Sequence, residues 1–263
     1  MTDWFRRYRR VVEPRLRLVC FPHAGGSASV YRSWPNRLPD DVEVLAAQYP
    51  GRQDRLREPC IDRMDRLATL VTGALLPFLD RPLALFGHSM GASLAHEVAV
   101  RLERLHGADI VTLFVSARLP PRHHRPRDVH QDDDTLLADV RMLDPVNSAV
   151  LDDPDMRELM LPVIRADYQV ADSYRPSNPL VRAPVVAYLG DADPTVGAGQ
   201  LRAWAEITNA GFALVEFPGD HFYLVPGEAE LVADIATRLD AVLPLHRPNG
   251  GRSRFTAEFV AGE

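Results

Sequence analysis

Residues 82–102, PLALFGHSMGASLAHEVAVRL, decide how the whole chain is read. Leu83 to Phe86 are apolar and strand-like, Gly87 follows, and Ser89 stands between His88 and Met90 before Gly91 opens an amphipathic run. A G-x-S-x-G sequence between a strand and a helix is the pattern of a nucleophile elbow. Glycines two places to either side leave room for a turn too tight for a Cβ atom, and the turn lifts the serine hydroxyl above the strand ends. The helix that follows points its N-terminus at the same spot and favours negative charge there. The alternative is a serine that merely caps a helix at an ordinary connection. The two readings differ in what they demand of the rest of the chain, because a serine nucleophile needs a base, an orienting acid and an oxyanion hole.

Outward from this stretch, short apolar runs alternate with helical patterns. LRLVCFP, VEVLAAQYP, PLALFG and DIVTLFVSA come first, with helical segments after Ser27, over 63–79 and after Ser89. APVVAYLG, a helix over 199–208, FALVEFPG and a last helix over 228–242 complete the series. Near-continuous apolar strands joined by helical crossovers specify an α/β domain with a mostly parallel central sheet flanked by helices. The alternation is interrupted over about 120–181, where helical patterns occur without a strand, so a helical insertion is expected as a lid over the strand ends, where ligands of such sheets bind. One domain over 1–245 is expected, with a flexible tail over 246–263 that lacks a periodic apolar face.

The demanded partners appear in order. His221 lies between the last strand and the last helix, where the base of such a sheet belongs. Asp191 and Asp193 follow the preceding strand in VVAYLGDADPTV; Asp193 has the longer reach and is stiffened by Pro194, while Asp191 suits a turn. Asp220 is too close in sequence to His221 to orient it. In FPHAGGSASVY the chain leaves the first strand through a small-residue loop, which nominates the backbone N–H groups of Ala24 and Met90 as the oxyanion hole.

Composition bounds the function. The 263 residues are 46% hydrophobic and carry a net charge of −6, which argues against nucleic acid as the main partner. No apolar run has the length of a membrane span and the N-terminus lacks a signal-peptide core, so a cytoplasmic protein is expected. Cys20 and Cys60 form neither a disulfide framework nor a metal pattern. All basic residues are arginine, clustered over 6–17 and again over 117–127, and either cluster could meet an acidic partner or simply be solvated.

The motifs CFPHAGGSASVY, QYPGRQDRLREP, LFGHSMGA, LGDADPTV and FPGDHFYL together resemble the type II thioesterases, free-standing α/β-hydrolases that serve modular polyketide synthases and non-ribosomal peptide synthetases. The resemblance runs from Val19 to Leu224 and implies an α/β-hydrolase fold with a helical lid. It implies removal of acyl groups from the phosphopantetheine arm of acyl or peptidyl carrier proteins, with Ser89 as nucleophile, His221 as base, Asp193 as orienter and no metal or cofactor. Asp220 departs from the pattern, which often has glycine there. The triad argument gives no reason for PGRQDRLREP. Arg118, Arg122, Arg125 and Arg127 are candidate docking residues for an acidic carrier, with Arg52, Arg55 and Arg57 as the next place to look. The first strand begins close to Met1, which favours a free-standing protein over a domain of a synthase. The rival readings are a carboxylesterase or lipase on the same fold and a non-catalytic binding protein.

Overall fold

A computed structural model describes residues 4–176 and 179–242; the expected flexible tail over 246–263 lies outside the described residues. Seven strands form a single sheet in the order β1-β3-β2-β4-β5-β6-β7. They are β1 (Phe5–Arg6), β2 (Leu16–Phe21), β3 (Val42–Ala47), β4 (Leu83–His88), β5 (Ile110–Ser116), β6 (Val185–Gly190) and β7 (Phe212–Phe217). All neighbours pair in parallel except β1, which runs antiparallel to β3 with Phe5 opposite Ala47.

The apolar runs explain the layering. Every residue of β2, β3, β4 and β6 is buried, as parallel strands covered on both faces must be. Side chains alternate across the sheet. Val19 and Phe21 join Leu85 and Val115 beneath α1 (Met64–Leu75) and α2 (Met90–His106), whereas Leu18 and Cys20 join Phe86 and Phe114 beneath residues 28–38 and the C-terminal helix. Leu94, Val98 and Leu102 of α2 are wholly buried, each worth about 1.5–3 kcal/mol. That helix stops at Gly107, whose φ of +61° supplies the left-handed cap.

Between β5 and β6 the chain builds a helical layer with a small core of its own. It contains α3 (Asp133–Leu143) and α4 (Pro154–Asp172), capped by the side chains of Asp132 and Asp153. Leu136, Leu137, Leu151, Leu161 and Ile164 form its core. This is the expected insertion, and no strand interrupts it among the described residues. The helix expected over 199–208 divides into α5 (Ala198–Leu201) and a 3-10 segment over 202–207; α6 (Glu228–Val242) closes the fold. Among the described residues no helix is long and apolar enough to cross a membrane.

Most of the N-terminal arginines are paired to carboxylates of the chain itself, while Arg10 is exposed. Arg7 and Arg17 pair with Glu43, Arg9 with Asp40, and Arg15 with Asp41 and Asp240. That cluster therefore fastens the first strands to the sheet and is a poor candidate for binding an acidic partner.

His96, at the centre of α2, ties that helix to the end of the insertion. Its Nε2–H donates to the Pro179 carbonyl at 2.6 Å, so in the neutral ring Nδ1 accepts from the Tyr174 hydroxyl, also at 2.6 Å. Burial pushes its pKa down to about 4, against the smaller opposing effect of the Pro179 carbonyl. The unfolded chain then binds a proton that the folded chain refuses, so stability is intact above the ordinary histidine pKa and is lost as pH falls from about 6.5 toward 4. At pH 5 the loss is about 2 kcal/mol from this group. We expect the thermal midpoint of the wild type to fall by several degrees between pH 7 and pH 5. His96→Gln should start lower but fall less over the same interval, as measured by differential scanning calorimetry.

Candidate functional site

The turn between β4 and α2 is as tight as the sequence demands. Ser89 has φ +53° and ψ −120°, a region L-residues rarely occupy and one that is strained for serine. A Cβ on Gly87 would lie 2.1 Å from the Gly91 carbonyl oxygen, and one on Gly91 would lie 2.0 Å from that of Phe21. The glycines are thus required by backbone packed on backbone, both within the turn and against the end of β2. The Ser89 N–H donates to the Ser116 carbonyl at 2.9 Å, which pins the strained residue to β5.

The acid and base loops are held together in a similar way. Gly190, at the end of β6, would place a Cβ 2.2 Å from the Asp220 carbonyl oxygen, so the loops after β6 and β7 pass in direct backbone contact. That contact brings Asp193 Oδ2 to within 2.7 Å of His221 Nδ1. The other carboxylate oxygen accepts from the Thr195 N–H and hydroxyl, both at 2.8 Å. Burial raises the Asp193 pKa, but the hydrogen bond and charge of His221 and the Thr195 donors outweigh it and hold the carboxyl below its usual range. The anion persists, Nδ1 keeps its proton, and Nε2 is left as the basic nitrogen. His221 Nε2 is buried and has no hydrogen-bond partner among the described residues. Asp191 takes the turn-forming role, accepting the Gly219 N–H at 3.0 Å. The Asp220 carboxylate accepts the Phe222 N–H at 2.8 Å.

Ser89 and His221 open on one cavity of about 210 Å³ beneath the helical insertion. Ala24 and Met90 line it as well, on the side of the turn. Met90 is the first residue of α2, so its N–H has no carbonyl one turn earlier to bond. The opposite wall belongs to the insertion and includes Val140, Leu151, Met160 and Ile164. The arrangement brings a serine hydroxyl, a histidine with an unbonded ring nitrogen, the helix-start N–H of Met90 and an apolar wall to one cavity, a set compatible with acyl transfer.

Two further histidines pack around the base. The His88 ring centroid is 5.1 Å from that of His221, and His23 lies 5.8 Å from His88. Burial pushes the His88 pKa well below its ordinary value, and burial pushes that of His23 down to about 4, with the neighbouring histidines adding to both effects. Both rings are neutral at neutral pH. His88 Nδ1 is tied to the Ser116 hydroxyl at 2.8 Å, and that hydroxyl to the Tyr223 hydroxyl at 2.7 Å. His88 therefore serves as a fixed, uncharged wall for His221. Sequence alone offered no sign of this beyond its place beside Ser89.

The candidate docking arginines separate. Arg118 is not on the outer surface. Ala117, with φ +51°, turns the chain at the end of β5 and sends Arg118 over the first turn of α2, where its Nε donates to the Ser93 hydroxyl at 3.0 Å and its side chain lines the cavity. Burial pushes its pKa down to about 10, so it remains a cation. Arg127 is half-exposed and grips Asp139 of α3 through two bonds of 2.8 Å. Arg122 and Arg125 are exposed. Of the second group, Arg52 is buried against Asp167, and Arg55 is buried with its guanidinium 4.3 Å from the Trp4 ring centre and paired to Glu58; only Arg57 is exposed. Arg52 and Arg55 are thus internal residues, held by Asp167 and by the Gln48 carbonyl, and Arg118 is partly buried against Ser93, contacts that the one-dimensional pattern conceals.

The thioesterase domain family matches residues 16–239. Thioesterase PikA5 of Streptomyces venezuelae is 42% identical over 90% of this chain and 85% of its own length. The gramicidin S biosynthesis protein GrsT of Aneurinibacillus migulanus is 33% identical over 92% of this chain and 96% of its own. Among solved structures, the type II thioesterase BorB from the borrelidin biosynthetic cluster superposes with a TM-score of 0.82 at 41% identity, covering 90% of this chain and 97% of that one.

The geometry distinguishes the two aspartates after β6. Asp193→Asn should keep the fold but misorient the ring, lowering kcat by ~10³-fold or more, whereas Asp191→Asn should cost less than about tenfold. Steady-state hydrolysis of an acyl thioester, with circular dichroism as a check on folding, measures both. Equal losses would refute the assignment.

Proposed function

Because the chain belongs to the thioesterase domain family and is a hydrolase of acyl thioesters, we propose that Ser89, His221 and Asp193 cleave acyl groups from the phosphopantetheine arm of acyl or peptidyl carrier proteins, clearing stalled or wrongly primed polyketide and non-ribosomal peptide synthases. The observation that carries the reading is the strained Ser89 and the unpartnered Nε2 of His221 facing one lid-covered cavity, with Asp193 bonded behind the ring.

In this mechanism the thioester carbonyl enters between Ser89 and the Ala24 and Met90 amides. Ser89 Oγ attacks the carbonyl carbon as its proton passes to His221 Nε2. Asp193 stabilises the imidazolium, and the two N–H groups hold the oxygen as it becomes negative. Collapse returns the electron pair to break the carbon–sulfur bond, and His221 gives its proton to the departing thiol. A water molecule then repeats the sequence on the acyl-serine, releasing the carboxylic acid and restoring Ser89. No step calls for a metal or a diffusible cofactor. The neutral walls of His23 and His88 leave the charge that develops on His221 answered by Asp193 alone.

Apolar lid residues suit the acyl chain, while the similarity to thioesterase PikA5 and to BorB supports a carrier-bound substrate. With Arg118 inside the cavity, the carrier would meet the exposed Arg122 and Arg125 on the segment that leads from β5 into the lid. An acidic partner would be steered there over a Debye length or so.

Ser89→Ala should retain the wild-type melting curve and abolish hydrolysis of a panel of acyl-carrier and acyl-pantetheine thioesters. Retained turnover would remove Ser89 from the mechanism, and a wild-type preference for simple oxygen esters over both thioesters would favour the carboxylesterase reading. For docking, the double variant Arg122→Glu/Arg125→Glu should raise KM for the carrier-bound substrate several-fold at low salt, converge with wild type at high salt, and leave the small pantetheine thioester unaffected. An equal effect on both substrates would exclude this surface.

A further inference from the structure

The motif QYPGR, residues 48–52, has no role in the triad, yet it is bonded to the oxyanion loop along its length. Gln48 Oε1 accepts the Ala28 N–H at 2.9 Å, and the Tyr49 hydroxyl donates to the Pro22 carbonyl at 3.2 Å, so the loop is held at both ends. Its middle is held by Arg52 and by Asp167 of the lid helix α4. Asp167 Oδ2 accepts the Gly25 N–H at 2.7 Å, while Arg52 Nη1 donates to the Gly26 carbonyl at 2.9 Å. The two side chains clasp each other through bonds of 2.6 Å and 2.9 Å, and both are almost wholly buried, with 8% and 3% of their side-chain surfaces exposed. Ile164, nearly one turn earlier on α4, closes on Gly25 so tightly that a Cβ there would meet it at 3.0 Å.

We propose that Arg52 and Asp167 are positioning residues that set the oxyanion loop, so that the Ala24 N–H is aimed into the cavity only while α4 is seated on the site. The inference rests on the proposed roles of Ser89 and Ala24. A buried ion pair contributes little net stability compared with apolar residues of the same size, because desolvation offsets its attraction. Its distinctive contribution here is directional. It grips one N–H and one carbonyl in the residues immediately after Ala24, which an apolar pair could not do. Because Arg52 comes from the loop after β3 and Asp167 from the lid, lid seating and oxyanion-hole geometry become a single equilibrium. Ground-state binding shares the wall that Met160 and Ile164 of α4 supply but also uses Val140 and Leu151, which lie outside α4, so it should weaken far less than the oxyanion contact.

The test compares Arg52→Lys, Asp167→Asn and the apolar double variant Arg52→Met/Asp167→Leu with wild type. The double variant fills the space without leaving one charge buried and unpaired, and so keeps the question open if the single variants fail to fold. Three quantities are measured with acyl-pantetheine compounds: kcat and KM for the thioester, affinity for the non-hydrolysable thioether, and affinity for the trifluoromethyl ketone, which becomes tetrahedral on Ser89. The expected result is a ~10²-fold loss of kcat and of trifluoromethyl-ketone affinity, with KM and thioether affinity held within about threefold in every folded variant. Equal weakening of the thioether and the ketone, unchanged kcat in a folded variant, or loss of folding in all three would overturn the proposal. If wild type binds the ketone no more tightly than the thioether, the reading of the site itself fails, and the brace with it.

Discussion

The turn at Ser89 is the constraint to which the rest of the structure answers. Its strained backbone persists only because Gly91 lies directly on the end of β2 and the Ser89 N–H is bonded to β5, so neighbouring strands on both sides of β4 hold it. Those contacts require the strands to end level with one another, and the level ends carry the loops that supply every other part of the site. Parallel pairing brings β2, β4, β5, β6 and β7 to one edge in that order. The loop over 23–26, Ser89, Arg118, Asp193 and His221 therefore converge because the sheet places their strand ends side by side.

Charge within this edge is arranged by exclusion. Several ionisable groups lie close together, yet His23 and His88 are too well buried to take a proton, and Asp193 is too well donated to lose its charge. That leaves His221 Nε2, buried and without a hydrogen-bond partner among the described residues, facing the cavity. Arg118 keeps its charge at the edge of the same cavity, where burial lowers its pKa against the opposing charge of Asp172, and its guanidinium is bonded to the Ser93 hydroxyl and His124 Nε2.

Much of this was legible in the sequence, and the boundary of legibility is physical. Continuous apolar runs identified the covered strands, and the order of Ser89, Asp193 and His221 along the chain identified the triad candidates, because strand order and chain order coincide in this half of the sheet. The choice of Asp193 over Asp191 followed from reach along the loop. By contrast, β1 was invisible, being two residues long and amid arginines whose partners are up to 225 positions away. Arg118 and Arg52 were read as surface charge for the same reason, their partners Ser93 and Asp167 being distant in the chain, and Arg55 because nothing local announces the Trp4 ring over its guanidinium. QYPGR was noticeable as a motif but silent as to purpose, because its partner Asp167 is 115 positions distant.

The lid has its own small core, built from Leu136, Leu137, Leu151, Leu161 and Ile164, whereas the acid and base loops touch backbone to backbone at Gly190. These are different regimes for evolutionary change. The loops of the triad can drift only in concert, since any side chain at Gly190 would push one off the other. The lid can be rebuilt almost as a separate cartridge, its inner face refashioned for longer, shorter or more polar cargo. Among its tethers, beside the His96–Tyr174 bond and the seating of Val170 and Ala171 in the main core, one is a charge: an α4 recast for other cargo keeps its grip on the Gly25 N–H only if a carboxylate stays there, an acidic peg around which the inner face can vary.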